Sequence, residues 1–188
     1  MDRGLISTRY ARSLLDFAIE EGQHKEVYNN MKTLSNVFWE VPKHREALTN
    51  SSIQQEDRKK LLFTASGGEI PLSLQKMADL IFLNEREDLI QYISLRFIEL
   101  YRERFKIVQA RLVTAIPLNL DENRDFKSRV QKIVGENIEL EPIVNPDIIG
   151  GFILHLDDYR WDASISGELT RVKSQFKKIE AVNALKNK

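Results

Sequence analysis

The sequence predicts an α+β fold that is mostly α, with a helical domain over residues 1–105 and a smaller α+β domain over residues 106–188. Apolar residues recur every three or four positions as far as residue 105, which is the period of a helix buried on one side. After residue 106 the period becomes two, because Val108, Ala110 and Leu112 alternate with polar residues. A glycine-rich segment from Asn145 to Leu169 then indicates a turn, a hairpin and a capped helix.

Six helices with short connections are predicted in the first domain, which implies a compact bundle. Gly22 ends the first helix and Gly67-Gly68 the fourth, while Pro42 and Pro71 open the third and fifth. The apolar stripes are Ile6, Tyr10, Leu14 and Phe17; Val27, Met31, Leu34 and Phe38; Leu74, Met77 and Ile81; and Leu89, Ile93, Phe97 and Leu100. The fourth helix contains the apolar run Leu61, Leu62 and Phe63.

The second domain begins with a strand from Lys106, ended by Pro117. Asn119 and Glu122 form a capping box that opens a helix ending at Gly135. Further strands are predicted at Ile138–Leu140, Ile149–Leu156 and Tyr159–Trp161, followed by a terminal helix from about Ser164. The two helices are expected to pack through Phe126, Val130 and Ile133, and through Leu169, Val172 and Phe176.

Composition excludes several classes of function. The 188 residues carry 28 basic and 28 acidic side chains, so the basic excess of a nucleic-acid-binding protein is missing. Only the segment from Glu168 onward is basic, which could attract an acidic partner or a membrane, or could complement a helix C-terminus. The chain has no cysteine, which excludes disulfides, thiolate metal sites and cysteine nucleophiles. With no signal peptide or membrane-spanning run, we expect a cytoplasmic or peripheral protein.

Two groups of residues could suggest a chemical site. His155, Asp157, Asp158 and Asp162 lie close together in sequence and could bind a metal, but a hairpin turn and a helix cap favour the same carboxylates. Gly150-Gly151 lacks the downstream Gly-Lys-Ser/Thr and helix of a phosphate-binding loop, and precedes a strand. We therefore interpret these glycines as allowing a bulge or a close backbone approach.

The remaining candidates also favour structural roles. His24 and His44 lie on charged helical segments and are expected to be solvated, whereas Trp39 and Trp161 are expected to pack. Turns and helix caps explain the serine hydroxyls, namely Ser51, Ser52, Ser164 and Ser166. With no acid/base pair, nucleophile or metal set, the sequence predicts neither an enzyme nor a cofactor, metal or small-molecule substrate.

The first and fifth helices carry a second apolar stripe each. Ala11, Leu15 and Ala18 lie beside the main stripe of the first helix, and Leu80 and Leu83 beside that of the fifth. Burial on two sides within the bundle would explain this surplus. Alternatively, it forms a groove that accepts an amphipathic helix from another protein.

Two segments resemble a known family. Arg9-Tyr10-Ala11-Arg12-Ser13-Leu14-Leu15-Asp16-Phe17-Ala18 is similar to the opening helix of the delta subunit of the bacterial F-type ATP synthase, the counterpart of the mitochondrial oligomycin sensitivity-conferring protein. The segment from Asn145 resembles the family's Asp-Pro-x-Leu-Ile-Gly-Gly-Phe-x-Leu and the Gly-Asp-x-x-x-Asp-Gly-Ser-x-x-Gly-x-Leu that follows. Asp157 and Ala163 stand where the family has glycine, Glu85 replaces a common glycine or basic residue, and Asn145 replaces the usual Asp.

The resemblance implies a non-catalytic stator subunit that links the catalytic head to the peripheral stalk and couples rotor torque to ATP synthesis and proton transport. The helical domain would bind the N-terminal helix of an alpha subunit, and the second domain the C-terminal ends of the b subunits. The implied location is the cytoplasmic face of the bacterial inner membrane, with membrane association only through the complex. A helical adaptor of another complex and a metal-dependent hydrolase using the His155 cluster are the rival hypotheses.

The resemblance also implies two sets of residues. The alpha-helix groove would comprise Tyr10, Ser13, Leu14, Phe17, Met77, Leu80, Ile81 and Asn84. The family motif, with a structural role, comprises Gly150, Gly151, Phe152, Asp158, Asp162, Ser164, Gly167 and Leu169.

Overall fold

The computed structural model describes residues 3–135, 137–156 and 159–186, with the side chains of residues 177–186 left out of the description. The chain divides into two compact units, Met1–Arg104 and Phe105–Lys188. As the sequence predicts, the described fold is mostly helical, with a small four-stranded sheet in the second unit.

Six α-helices and one 3₁₀ helix make up the described part of the first unit and its boundary. They are α1 (Arg3–Glu20), α2 (His24–Glu40), α3 (Lys43–Thr49), α4 (Gln55–Ala65), α5 (Leu72–Leu83), the 3₁₀ helix Glu87–Leu89 and α6 (Ile90–Phe105). The predicted helix breaks occur at the expected residues, and Gly22 adopts the left-handed conformation that ends α1. The break before α6 contains the 3₁₀ turn, which the sequence analysis did not predict.

The core of the first unit is deep. Leu14, Leu34 and Phe97 are almost inaccessible to solvent, and the rings of Tyr28 and Tyr101 stack with centroids 4.1 Å apart. Two expectations are wrong here. His44 is buried and packs edge-on against Phe38, because α3 turns its imidazole inward, whereas Trp39 is 87% exposed on the outer face of α2.

Helices α1 and α5 run antiparallel and are tied together at both ends. The Gln23 side-chain oxygen, just beyond α1, accepts hydrogen bonds from the Ser73 backbone N–H at 3.1 Å and from its hydroxyl at 3.0 Å. This satisfies a free N–H in the first turn of α5, which lacks a local side-chain cap. At the other end, Arg86 donates to the Tyr10 hydroxyl at 3.2 Å. The two contacts fix the alignment of the helices.

The second unit places helices beside a mixed sheet. Its elements are β1 (Ile107–Thr114), α7 (Leu120–Val134), β2 (Asn137–Val144), the 3₁₀ helix Pro146–Ile148, β3 (Gly151–Leu156), β4 (Tyr159–Ser164) and α8 (Ile165–Lys186). The strand order is β2-β1-β3-β4. Strands β1 and β2 are parallel and joined through α7, while the β1–β3 and β3–β4 pairs are antiparallel.

A small core lies between α7 and one face of the sheet, built on Ala110, Leu112, Val130, Ile138 and Leu154. The predicted capping box is confirmed, since the Asn119 side chain accepts from the Glu122 N–H and Glu122 accepts from the Asn119 N–H, each at 2.8 Å. Gly135 ends α7 in the left-handed conformation. The helix packs through Val130 and the half-buried Phe126, but Ile133 is 73% exposed, contrary to expectation.

The hairpin and last helix also differ from prediction. Strand β3 begins at Gly151, because Ile149 has φ = 69° after the 3₁₀ turn and cannot continue an extended chain. Strand β4 continues to Ser164. The predicted apolar face of α8 is not covered by the described residues: Leu169, Val172 and Phe176 are all exposed, as is Trp161 on β4. Their periodicity identified a helix face, but a face needs a partner to be buried.

Candidate functional site

The sequence-predicted groove residues on α1 form a stripe that rises from the core to the surface. Leu14 is fully buried, Tyr10 and Phe17 are half-buried, and Ser13 is exposed. The two aromatic rings lie on the same side of the helix two turns apart, where successive residues differ by 100°. The partner-accessible part of α1 is therefore aromatic.

On α5, Met77 and Ile81 are buried and form the floor between the helices, while Leu80 is 46% exposed. Asn84 ends the helix, and its side-chain amide donates to the Leu80 carbonyl at 2.7 Å. The structure thus divides the eight predicted residues into a buried floor and an accessible upper layer. Only the accessible layer, Tyr10, Ser13, Phe17, Leu80 and Asn84, could contact another chain.

Leu72 and Leu83 are not among the predicted groove residues. They are 46% and 78% exposed and lie within one 80° sector of α5 with Lys76 and Leu80. The signal was present in the sequence, since Leu72, Leu80 and Leu83 recur at helical spacing. These leucines extend the apolar surface of α5 away from the buried side.

Two cations lie over the aromatic rings of α1. The Lys76 ammonium is 5.1 Å from the Phe17 ring centroid, and the Arg86 guanidinium is 5.7 Å from that of Tyr10. Such contacts hold a positive charge at a partly exposed apolar surface. The surface between α1 and α5 is therefore apolar along its length and positive at two points.

The glycine segment of the second unit is a site of close backbone approach, as predicted. Gly151 has φ = 74°, and a Cβ atom there would clash with the Ala163 carbonyl oxygen of the paired strand. The adjacent Gly150 carbonyl accepts the first backbone N–H of α8, that of Ile165, at 3.0 Å. Phe152 is half-buried and contacts Phe126 and Trp161 edge-on.

Asp162, Ser164 and Gly167 form a cap at the junction of β4 and α8. The Ser164 hydroxyl donates to the Asp162 carboxylate at 2.6 Å and accepts from the Gly167 N–H at 3.1 Å. The Ser164 hydroxyl, then its backbone N–H, hold the pKa of Asp162 below its ordinary value, and the positive charge of Arg160 acts in the same direction. Leu169 follows on the exposed face of α8, and Asp158 lies outside the described residues.

The rival metal site finds little support among the described residues. His155 is paired across the sheet with Arg111 and Arg160, two cations on the same face, and the Asp162 carboxylate is engaged by Ser164. In the described ranges no cluster of three or more His, Cys, Asp or Glu side chains could hold a metal. Asp157, like Asp158, lies outside those ranges.

A cleft of about 470 Å³ beside α7 was not predicted. Phe126, Ile133, Phe152 and Trp161 supply much of its apolar lining, and Glu122, Asp125 and Arg129 lie at its rim. The sequence predicts no such cleft, because its pattern places Ile133 and Trp161 among packing residues. It leaves an accessible aromatic and aliphatic surface on the second unit.

Comparisons with known proteins agree over nearly the whole chain. The family model described as ATP synthase delta (OSCP) subunit matches residues 6–176. A protein named ATP synthase subunit delta from Bacteroides thetaiotaomicron is 36% identical over 178 residues, covering 94% of this chain and 96% of the relative. The protein of the same name from Parabacteroides distasonis is 34% identical over 174 residues, covering 93% and 97%.

A solved structure has the same fold at lower sequence similarity. A chain of the Toxoplasma gondii mitochondrial ATP synthase hexamer matches with a TM-score of 0.56 and 18% identity, covering 90% of this chain and 96% of that one. Among the described residues, none of the helices combines the length and apolar character needed to cross a bilayer. The family model and the curated relatives, independently of the solved structure, identify a structural and non-catalytic ATP synthase subunit, whose partners are other subunits of that complex. The chain belongs to the ATP synthase delta (OSCP) subunit family.

Proposed function

We propose that this chain is a stator subunit that ties the catalytic head of a bacterial F-type ATP synthase to its peripheral stalk. The first unit binds the N-terminal helix of an alpha subunit between α1 and α5, and the second unit binds the C-terminal ends of the b subunits. Held this way, the chain lies at the cytoplasmic face of the inner membrane and associates with the membrane only through the complex. The accessible apolar surface between α1 and α5 is the observation that carries the proposal.

The groove has the features that helix recognition requires. A helix that docks on another surface uses apolar anchors one or two turns apart, in contact with a complementary apolar groove. The half-buried Tyr10 and Phe17 are seven residues apart, and Leu80 is 46% exposed opposite them. Since Leu14, Met77 and Ile81 lie beneath in the core, the groove is preformed and binding needs little reorganisation.

The second unit supports a separate contact. Its cleft beside α7 is lined by accessible apolar side chains, and α8 exposes Ile165, Leu169, Val172 and Phe176 at spacings of 4, 3 and 4 residues. This is the repeat of a helix that packs against another helix. Two attachment points on separate units suit a component that must resist torque, because simultaneous binding raises the effective concentration at each site.

The groove can be tested by titrating the full-length chain with the N-terminal peptide of the alpha subunit, using calorimetry. Leu80→Asp places a charge in the groove and should weaken binding at least about tenfold, because an unpaired charge would be desolvated on contact. Leu95→Asp is a matched control, since Leu95 is 45% exposed on α6, outside the groove. Equal affinities for Leu80→Asp, Leu95→Asp and the wild type would rule out the groove.

A further inference from the structure

We propose that the α1–α5 groove selects a partner helix that carries two acidic side chains seven residues apart, one facing Lys76 and the other Arg86. This inference rests on the proposed function, because it takes a helix to be the occupant of the groove. It adds an electrostatic requirement to a surface otherwise recognised by its apolar anchors.

The two groove cations differ from neighbouring cations in their ion pairing. Within the part of the chain that the structure describes, neither Lys76 nor Arg86 is ion-paired with a carboxylate, and their recorded side-chain contacts are with Phe17 and Tyr10. The neighbouring Phe82 ring also has two cations over it, those of Arg58 and Lys59. Those two cations are ion-paired, with Glu87 at 2.7 Å and with Asp79 at 2.9 Å. The groove cations therefore retain hydrogen-bonding capacity that the Phe82 cations have already used.

The charges of Lys76 and Arg86 lie where a docked helix would cover them. Each cation is held against an aromatic ring that is itself half-buried at the groove, so a helix covering the ring would also approach the charge. Burying an ammonium or guanidinium group without a counter-charge is unfavourable. An apolar or basic residue at either position would therefore be rejected, and an acidic residue would be accepted.

The spacing of Tyr10 and Phe17 along α1 sets the spacing expected in the partner helix. Tyr10 and Phe17 are separated by seven residues, which corresponds to about 10 Å along the axis of α1. On a helix that lies along this groove, side chains that recur on one face at nearly the same distance are also seven residues apart. Acidic side chains at positions i and i+7 would thus meet both cations at once, whichever way the helix runs.

The experiment measures binding of the alpha-subunit N-terminal peptide to the full-length chain at low and high salt. Lys76→Gln and Arg86→Gln should each weaken binding about three- to fivefold, the double variant about tenfold or more, and the double variant should lose most of the salt dependence. Arg45→Gln is the matched control, because Arg45 lies over the Tyr92 ring at 5.7 Å, on α3, outside the groove. Arg86→Lys keeps the charge and should retain salt-dependent binding, which separates the effect of charge from loss of the Tyr10 hydrogen bond.

The peptide supplies the second half of a double-mutant cycle. The proposal predicts acidic residues seven positions apart in this peptide, and replacing them with amides should weaken binding to the wild type but cause no further loss with the Lys76→Gln/Arg86→Gln variant. If the double variant binds as the wild type does while Leu80→Asp fails to bind, the groove stands and the charge requirement is wrong. If Leu80→Asp also binds as the wild type does, the groove assignment is wrong and the inference fails with it.

Discussion

The two units of the chain use apolar residues in opposite ways. The helical unit buries most of them: Phe97, Leu14 and Leu34 are at most 1% exposed, and its accessible apolar surface includes the stripe along α1 and α5. In the described part of the second unit the core cluster has five buried residues, and Ile148 and Ile153 are also buried. It leaves Ile133, Trp161 and Phe176 more than half exposed.

This difference indicates which interactions stabilise each unit. A deep core stabilises the helical unit internally, since burying apolar surface contributes about 25 cal/mol per Å². The second unit relies instead on a few local devices, namely a capping box, a close glycine contact and a serine cap. Its exposed apolar surface would be covered by a partner, so binding would add to its stability.

The largest expected effect on stability is that of Phe97→Ala in the helical unit, compared with Phe176→Ala in the second unit. Phe97→Ala should destabilise the helical unit by about 3–5 kcal/mol, because it opens a cavity in a fully packed core. Phe176→Ala, at a side chain 64% exposed on α8, should change the stability of the free protein by less than about 0.5 kcal/mol. Chemical denaturation followed by circular dichroism measures both. A large loss of stability from Phe176→Ala would show that α8 is packed in solution, and would contradict the difference in apolar burial between the two units.

The next effect concerns the glycine segment. Gly151→Ala should destabilise the second unit by about 3 kcal/mol, because the left-handed backbone disfavours a side chain and the new Cβ meets the Ala163 carbonyl. Gly135→Ala in the same unit is the control: φ is also 74°, but no atom would lie within 4 Å of the Cβ, so only about 1 kcal/mol is expected. Denaturation monitored by Trp161 fluorescence in a Trp39→Phe background reports the second unit, since the chain has two tryptophans. Equal costs at both glycines would contradict the close contact.

The units should also differ in their response to pH. Burial lowers the pKa of His44 below 6.5, so the unfolded chain binds this proton more readily, and the helical unit should lose stability as pH falls through about 6.5. The Nε2 atom of His44 has no hydrogen-bond partner among the described residues. His44→Leu should therefore remove much of the loss of stability that begins as the pH falls below about 6.5. Segment-resolved hydrogen exchange measures the stability of the helical unit at each pH. The same variant above pH 8, where His44 is neutral in both the folded and the unfolded chain, is the control.

In the second unit the pH-sensitive group is Asp162. Because the pKa of Asp162 is lowered in the folded state, its carboxylate stabilises the fold fully above the ordinary carboxyl pKa of 3.8. This stabilisation is lost as the pH falls through the folded-state pKa of Asp162. Ser164→Ala should raise the pKa of Asp162 toward that ordinary value, because the hydroxyl is its strongest partner. An NMR titration of the Asp162 carboxylate decides this, and an unchanged pKa would show that the hydroxyl does not reach it.

The smallest expected effect is at the end of α5. Glu85 has φ = 53°, a left-handed conformation that glycine adopts without strain. Glu85→Gly should therefore stabilise the helical unit by about 0.5–1 kcal/mol, measured as a shift of the denaturation midpoint. Gly67→Glu is the reverse change at φ = 108° and should destabilise the same unit. A loss of stability from Glu85→Gly would mean that the Glu85 side chain contributes more than its backbone costs.

Local sequence predicted those features whose interactions span only a few residues. Asn119 and Glu122 satisfy each other's backbone groups within one turn, so their pattern alone identified the cap. Gly150-Gly151 before a strand likewise indicated close backbone approach, and the Ala163 carbonyl supplies it. The spacing of Tyr10, Leu14 and Phe17 predicted one inward stripe on α1, and all three are at least half-buried, whereas their role in a groove stays a prediction.

The amino-acid sequence by itself determined the order of helices and strands, the caps and the residues that share each helix face, because these depend on contacts between near neighbours. Only the tertiary structure decided which faces are covered. His44 is buried because Phe38 and its neighbours close over it, while Trp39, Ile133 and Phe176 stay exposed because no described element packs against them. The same reason divides the groove into a buried floor at Leu14, Met77 and Ile81 and an accessible layer above: burial requires two surfaces, and the periodicity of one helix specifies only the first.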